Sequence, residues 1–242
     1  MKKLKTKYLK SNIAVLFIAV LFVSAFITGC NTNDNVTGTG TVTTGGDNIS
    51  ISSKSDDNLT ESISSDVIVI TEAKALINEV EFEQEPSGTE HEIHITPFVV
   101  NFNVTGGLTT LITGKLPTGN FNKVKFKIHK PEDNDVISDP DFMTGSSGNE
   151  RFSFIIKGTF NGAPFVYRSR RSSSIIINLN SSVSVSENIA NVTVVFNKNF
   201  WFKNGNSLIN PASGDDNMID DNIRSSFRMG FKDNDHDGND DH

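Results

Sequence analysis

From Asp66 to about Phe202, apolar and polar residues alternate with a period of two. Leu76, Val80 and Phe82 are interleaved with Glu79, Glu81 and Glu83. Phe98, Val100, Phe102 and Val104 alternate with Val99, Asn101 and Asn103, and Val124, Phe126 and Ile128 with Lys123, Lys125 and Lys127. Further runs follow at Phe152–Ile156, Ile175–Leu179, Val183–Val185 and Val192–Phe196. In an extended chain successive side chains point to opposite faces, so this alternation predicts half-buried strands. Turn residues punctuate them at Pro86-Ser87-Gly88, Thr105-Gly106-Gly107, Pro117-Thr118-Gly119 and Gly145-Ser146-Ser147-Gly148. Asn161-Gly162 is the strongest hairpin signal, because both residues accept the positive φ of a type I′ turn. It predicts that Arg151–Phe160 pairs with Ala163–Arg170. Eight or more short strands without interleaved helices predict an all-β fold, an antiparallel β-sandwich.

The pattern changes at both ends. Residues 1–29 read as a secretory signal: five lysines without an acid, then an apolar run from Ile13 to Ile27, too short to span a bilayer. Residues 30–65 are rich in Ser, Thr, Asn and Gly and predict a flexible tether, because few side chains there can offset the entropy of ordering. Residues 66–203 form the sandwich domain. Residues 204–242 hold a short helix and an acidic calcium-type loop. Ile219, Ile223 and Phe227 are four apart, one helical face, so the spacing predicts a helix from about 217 to 229, capped by Asp215, Asp216 or Asn217.

Charge narrows the function classes. The 242-residue chain carries 22 basic and 29 acidic residues, a net charge of −7. Without the signal's five lysines the balance is 17 against 29, or −12. A body that acidic repels nucleic acid, so no nucleic-acid partner is expected. Mean hydropathy is −0.25, which excludes a polytopic membrane protein. The single cysteine excludes a disulfide framework and a multi-cysteine zinc site.

That cysteine closes the sequence Ile27-Thr28-Gly29-Cys30, which resembles the bacterial lipobox. The resemblance implies diacylglyceryl transfer to the Cys30 thiol, cleavage before Cys30, and a further acyl chain, such as palmitate, on the freed amine. More than one chain meets the requirement for stable anchoring. Asn31 follows in place of Asp, and the resemblance to lipoproteins without Asp there favours the outer membrane or cell surface over the inner membrane.

The densest candidate chemistry is Asp233-Asn234-Asp235-His236-Asp237-Gly238-Asn239-Asp240-Asp241. Carboxylates at alternate positions converge in a tight turn, and hard oxygen donors at that density suit calcium. The run resembles the first part of an EF-hand loop and the dockerin and thrombospondin type 3 calcium repeats. The resemblance implies Asp233, Asp235, Asp237 and Asp241 as metal ligands. It covers nine residues in one copy, and the chain stops before an EF-hand's twelfth-position Glu, so weak calcium binding is expected.

Other clusters carry less. His91 and His94 fall on opposite faces of a strand and cannot chelate together. Phe200-Trp201-Phe202, with Phe165 and Tyr167, reads as core rather than a ligand platform. No Gly-x-Ser-x-Gly elbow, phosphate loop or dinucleotide fingerprint is present. Leu116-Pro117-Thr118-Gly119-Asn120-Phe121 before the Val-x-Phe-x-Ile strand is similar to a domain of unknown function in uncharacterised bacterial envelope lipoproteins, over about residues 66–202. The resemblance implies a transthyretin-like or immunoglobulin-like β-sandwich on the cell surface or in the periplasm and no catalytic residues. The expected function is a lipid-anchored, non-enzymatic binding or structural module whose partner is a carbohydrate or an envelope protein. The alternatives are an extracellular polymer hydrolase using Asp139 and Asp141 of the Pro131–Gly145 loop, and an assembly or sensor subunit of an envelope complex.

Overall fold

A computed structural model describes residues 46–56, 66–94, 96–212 and 215–241. The expected signal segment, Cys30 and the first part of the tether lie outside the described residues. The described body is all-β with one short α-helix, as the alternation predicts. Its strands are β1 (Ile49–Ser55), β2 (Ile68–Glu85), β3 (Thr89–His94), β4 (Phe98–Asn101), β5 (Thr109–Gly114) and β6 (Gly119–Ile128). After two short 3-10 turns come β7 (Phe154–Phe160), β8 (Ala163–Ser169), β9 (Ser173–Val185) and β10 (Ala190–Phe196). The chain ends with the two-residue pair β11 (Lys203–Asn204) and β12 (Ser207–Leu208), helix α1 (Asp216–Ser226) and β13 (Phe227–Lys232).

Eleven strands join one sheet in the order β5-β1-β10-β13-β9-β6-β2-β7-β8, with β3 and β4 also paired to β2. The sheet curls into a half-barrel. Strand β2 is long enough to serve four neighbours: Ile68–Ala75 pairs with β7, Lys74–Ile77 with β4, Ile77–Glu85 with β6 and Val80–Gln84 with β3. Most pairings are antiparallel, while β1–β10 and β13–β9 are parallel. The β7–β8 hairpin turns at Asn161 (φ 51°) and Gly162 (φ 81°), the conformation its sequence favours.

The main core takes in Val80, Phe82, Phe121, Val124, Ile177, Val192, Val194 and Phe196, and α1 adds Ile219 and Ile223. Trp201 lies wholly inside, stacked on Phe196 at 5.6 Å and edge-on to Phe154 at 5.8 Å, with its Nε1 donating to Ser226 Oγ at 2.8 Å. Burying an aromatic of this size contributes roughly 1.5–3 kcal/mol or more. Trp201 and Phe202 are therefore core, as the sequence suggests, while Phe200 is only half-buried. A second, smaller cluster of Leu76, Val99, Phe142, Phe152 and Ile155 includes residues of the loop that follows β6.

Both chain ends depart from the sequence expectation. Ile49–Ser55, read as tether, is strand β1, bonded to β10 on one side and to β5 on the other. Ile49 and Ile51 are fully buried, and Ser50, Ser52, Ser53 and Ser55 are buried with them. Asn48 fixes the entry: its Nδ2 donates to Leu116 O (3.0 Å) and Ser186 O (2.7 Å), and its Oδ1 accepts from Leu116 N (2.8 Å). At the other end the expected helix 217–229 stops at Ser226. Asp215 caps it, accepting from Asn217 N and Met218 N. Phe227 then takes an extended conformation and starts β13, which lies between β10 and β9. Phe227 keeps its buried position, as a strand residue rather than a helical one.

Candidate metal centre and the charged surface

The acidic run begins where β13 leaves the sheet. Asp233 is fully buried. Its Oδ2 accepts from Thr193 Oγ1 of β10 at 2.6 Å and from Gly238 N at 3.1 Å, and its Oδ1 accepts from Asp237 N at 2.9 Å. His236 and Gly238 take left-handed φ of 59° and 82°, which folds the loop back over Asp233. Two more ties run to β1: Lys54 Nζ donates to Gly238 O at 3.1 Å, and Ser52 Oγ lies 2.8 Å from His236 Nε2. Asp237 Oδ1 accepts from Asn239 N at 2.7 Å, and bonds from the Asn239 side chain and backbone hold the Asp237 carboxyl below its ordinary value. The loop thus clasps the C-terminal strand to β10 and β1.

Asp233, Asp235 and Asp237 each bring one carboxylate oxygen within 4.8 Å of the others. Two oxygens that both sit 2.3–2.6 Å from one calcium ion are at most about 5 Å apart, so this donor set fits calcium. Three protein carboxylates would leave about half of a six-to-eight-oxygen shell to water. Asp241 stands outside the group: its Oδ2 accepts from Asn234 N at 2.5 Å, and its own N–H donates to Lys232 O. Sequence spacing aligns Asp241 with the other three, but its carboxylate closes the loop's backbone instead.

A second carboxylate group, Glu79, Glu81 and Glu92, forms across β2 and β3. Here lysines supply the positive charge. Lys127 Nζ is 2.6 Å from Glu79 and 2.9 Å from Glu81, and Lys125 Nζ is 2.6 Å from Glu81. Burial works to raise the Glu81 carboxyl, but hydrogen bonds from Glu79, Lys125 and Lys127 outweigh it and hold it at about 2. Burial and the bond to Glu81 push Glu79 up. The alternation of Glu on β2 with Lys on β6, visible in the sequence, is a ladder of cross-strand ion pairs.

The loop acids considered for hydrolysis meet a buried lysine. Lys74 Nζ lies 2.6 Å from Asp139 Oδ2, 2.8 Å from Asp141 Oδ2 and 3.2 Å from Glu72. Asp141 also pairs with Lys157 at 2.8 Å. Bonds from Lys157 and Lys74 hold the Asp141 carboxyl at about 2. A general acid needs a raised value, so Asp141 is poorly suited to protonate a glycosidic oxygen. His91 Nε2 meets Gln84 Oε1 at 3.0 Å, and His94 packs on Phe98 at 4.5 Å, so the two imidazoles do not converge.

Among the described residues no helix is long and apolar enough to cross a membrane. Comparison with family models, curated proteins and solved structures returned no match.

Proposed function

We propose that this chain is a lipid-anchored, non-enzymatic module of the bacterial cell envelope, held in the outer membrane or at the cell surface through Cys30. Its all-β body binds or bridges envelope components. The observation that carries the reading is the position of the only cysteine, at the end of the apolar run in Ile27-Thr28-Gly29-Cys30. The arrangement of the loop acids supports the non-enzymatic part, because Asp139 and Asp141 both neutralise Lys74. Asp233, Asp235 and Asp237 would hold calcium at the loop that clasps β13, with water completing the shell. The ion would neutralise the carboxylates there and stiffen the clasp.

Cell fractionation tests the anchor. Cys30→Ser removes the acceptor thiol and is expected to move the protein out of the detergent-requiring membrane fraction. Retention of the Cys30→Ser protein there, unchanged, contradicts the reading.

A further inference from the structure

An asparagine followed by glycine can react with its own backbone. The glycine amide nitrogen, after losing its proton to solvent, attacks the asparagine Cγ. The new bond joins that nitrogen to Cγ, the Cγ–Nδ2 bond breaks, and ammonia leaves a succinimide ring behind. Water then opens the ring at either carbonyl, giving aspartate or isoaspartate. Glycine favours the attack because no Cβ crowds its nitrogen. The local backbone must also be free to bring the nitrogen onto Cγ, so a fold can permit the reaction or block it. The chain contains two such steps, Asn161-Gly162 and Asn204-Gly205. Both are exposed at hairpin turns, and the fold holds them in opposite ways.

Asn161 is fastened on every side. Its Oδ1 accepts from Val67 N at 2.8 Å, and its Nδ2 donates to Asp66 Oδ1 at 2.9 Å. Its own N–H donates to Val67 O at 2.8 Å. Cyclisation would expel the nitrogen that Asp66 holds and reorient the oxygen that Val67 N holds. The turn also closes the β7–β8 ladder, which runs over seven residues of each strand within the main sheet. Freeing the turn means giving up part of that ladder.

Asn204 has none of these restraints. It is the exposed last residue of β11, and its side chain makes no hydrogen bond among the described residues. Gly205 follows at φ 60°, the glycine that a two-residue hairpin loop requires. Strands β11 and β12 pair only through Lys203–Leu208 and Asn204–Ser207, in a small sheet of their own. So short a ladder opens at little cost. Nothing lies within 4 Å of a Cβ built on Gly205, so no neighbour bars the ring. On the other side, Asn222 Nδ2 of α1 donates to Trp201 O at 3.2 Å and Lys203 O at 2.7 Å, which pins the chain up to Lys203 and confines the motion to the turn.

From this contrast we infer that Asn204 is a modification site, converted without an enzyme to aspartate and isoaspartate through cyclisation onto Gly205 N, while the fold protects Asn161. Water is the only co-reactant, and ammonia is released. Isoaspartate lengthens the backbone at the end of β11 and breaks its register with Ser207, and either product adds a negative charge there. The inference depends neither on the anchor nor on the envelope reading.

Peptide mapping by mass spectrometry tests it on the full chain in detergent, held in warm, mildly alkaline buffer, with chromatography separating the two acid isomers. Folded protein is expected to convert Asn204 at least about tenfold faster than Asn161, because the two turns open to different extents. In urea the two steps should convert at similar rates, since both are Asn-Gly and neither is held. Gly205→Ala, whose Cβ crowds the attacking nitrogen, should slow conversion of Asn204 and leave that of Asn161 as it was. Conversion of Asn161 as fast as Asn204 in the folded protein, no conversion of Asn204, or a product free of isoaspartate overturns the inference. A preference for Asn204 that persists unchanged in urea also overturns it, because flanking sequence and not the fold would then select the site.

Discussion

At Lys74 burial and pairing oppose each other, and the number of partners decides. Burial alone lowers a lysine's value, yet hydrogen bonds to Asp139, Asp141 and Glu72 outweigh it and raise Lys74 above its ordinary value. Removing the ammonium leaves Glu72 and Asp141 facing Lys157 and takes from Asp139 its lysine partner. Lys74→Ala is therefore expected to cost about 2–3 kcal/mol, less than a fully buried pair because the aspartates are part-exposed, and to lower the urea midpoint accordingly. An unchanged midpoint shows that water compensates the acids. The same residues set the acid response. Asp141 and Glu81 are held at about 2, below their ordinary 3.8 and 4.5. A depressed carboxyl contributes stability above its unfolded value and loses it as pH falls through its folded value. Stability should thus decline from about pH 4.5 to about pH 2, and Asp141→Asn should flatten that decline. A pH-independent urea midpoint across this window contradicts the ion-pair geometry. Asp233 shows what sequence leaves out at this scale. Its place in the acidic run is legible, but its burial against Thr193, forty positions away, is not.

Strand β13 is the element that the sequence conceals. Phe227–Lys232 continues the helical spacing of Ile219 and Ile223, and no local signal says that the chain becomes extended after Ser226. The decision is non-local: β10 and β9 offer both edges, and Gly230 fits between their side chains. A Cβ at residue 230 would lie 2.7 Å from Leu179 Cδ2 and 3.2 Å from Ile177 Cγ2. Gly230→Val is expected to cost about 2–3 kcal/mol through overpacking and to expose the C-terminal segment to protease. A melting curve equal to the parent's contradicts the central placement of β13. Strand β1 is hidden for the same reason, since its serines match a linker's composition while its partners lie more than fifty residues away. By contrast the β7–β8 hairpin was legible because Asn161-Gly162 encodes its own turn, and β2 and β6 because strict alternation fixes which face is buried. The capped start of α1 was legible too, since Asp215 stands before the apolar stripe. Asp215→Ala should cost about 1 kcal/mol of stability. A loss below about 0.3 kcal/mol in urea melts would show that Asp216 takes over the cap.

As a whole the molecule pairs an acidic body with a basic, apolar N-terminal segment, and its first and last described strands lie in the same half of one sheet. The acidic loop closes that half, so calcium there should act on global stability. With weak, near-millimolar affinity, about 5 mM calcium adds roughly 1 kcal/mol, a gain of about 2–4 °C in Tm for a body of this size. The paired substitution Asp235→Ala and Asp237→Ala should abolish the gain, and identical melts in calcium and chelator contradict the metal reading. The central claim concerns where the body is held, and the intact mass of the protein extracted from bacterial membranes tests it most directly. The account predicts a chain that begins at Cys30, lacks residues 1–29 and carries the added mass of a diacylglyceryl group and an amide-linked acyl chain. A chain with a free Cys30 thiol, or one that still carries residues 1–29, contradicts it.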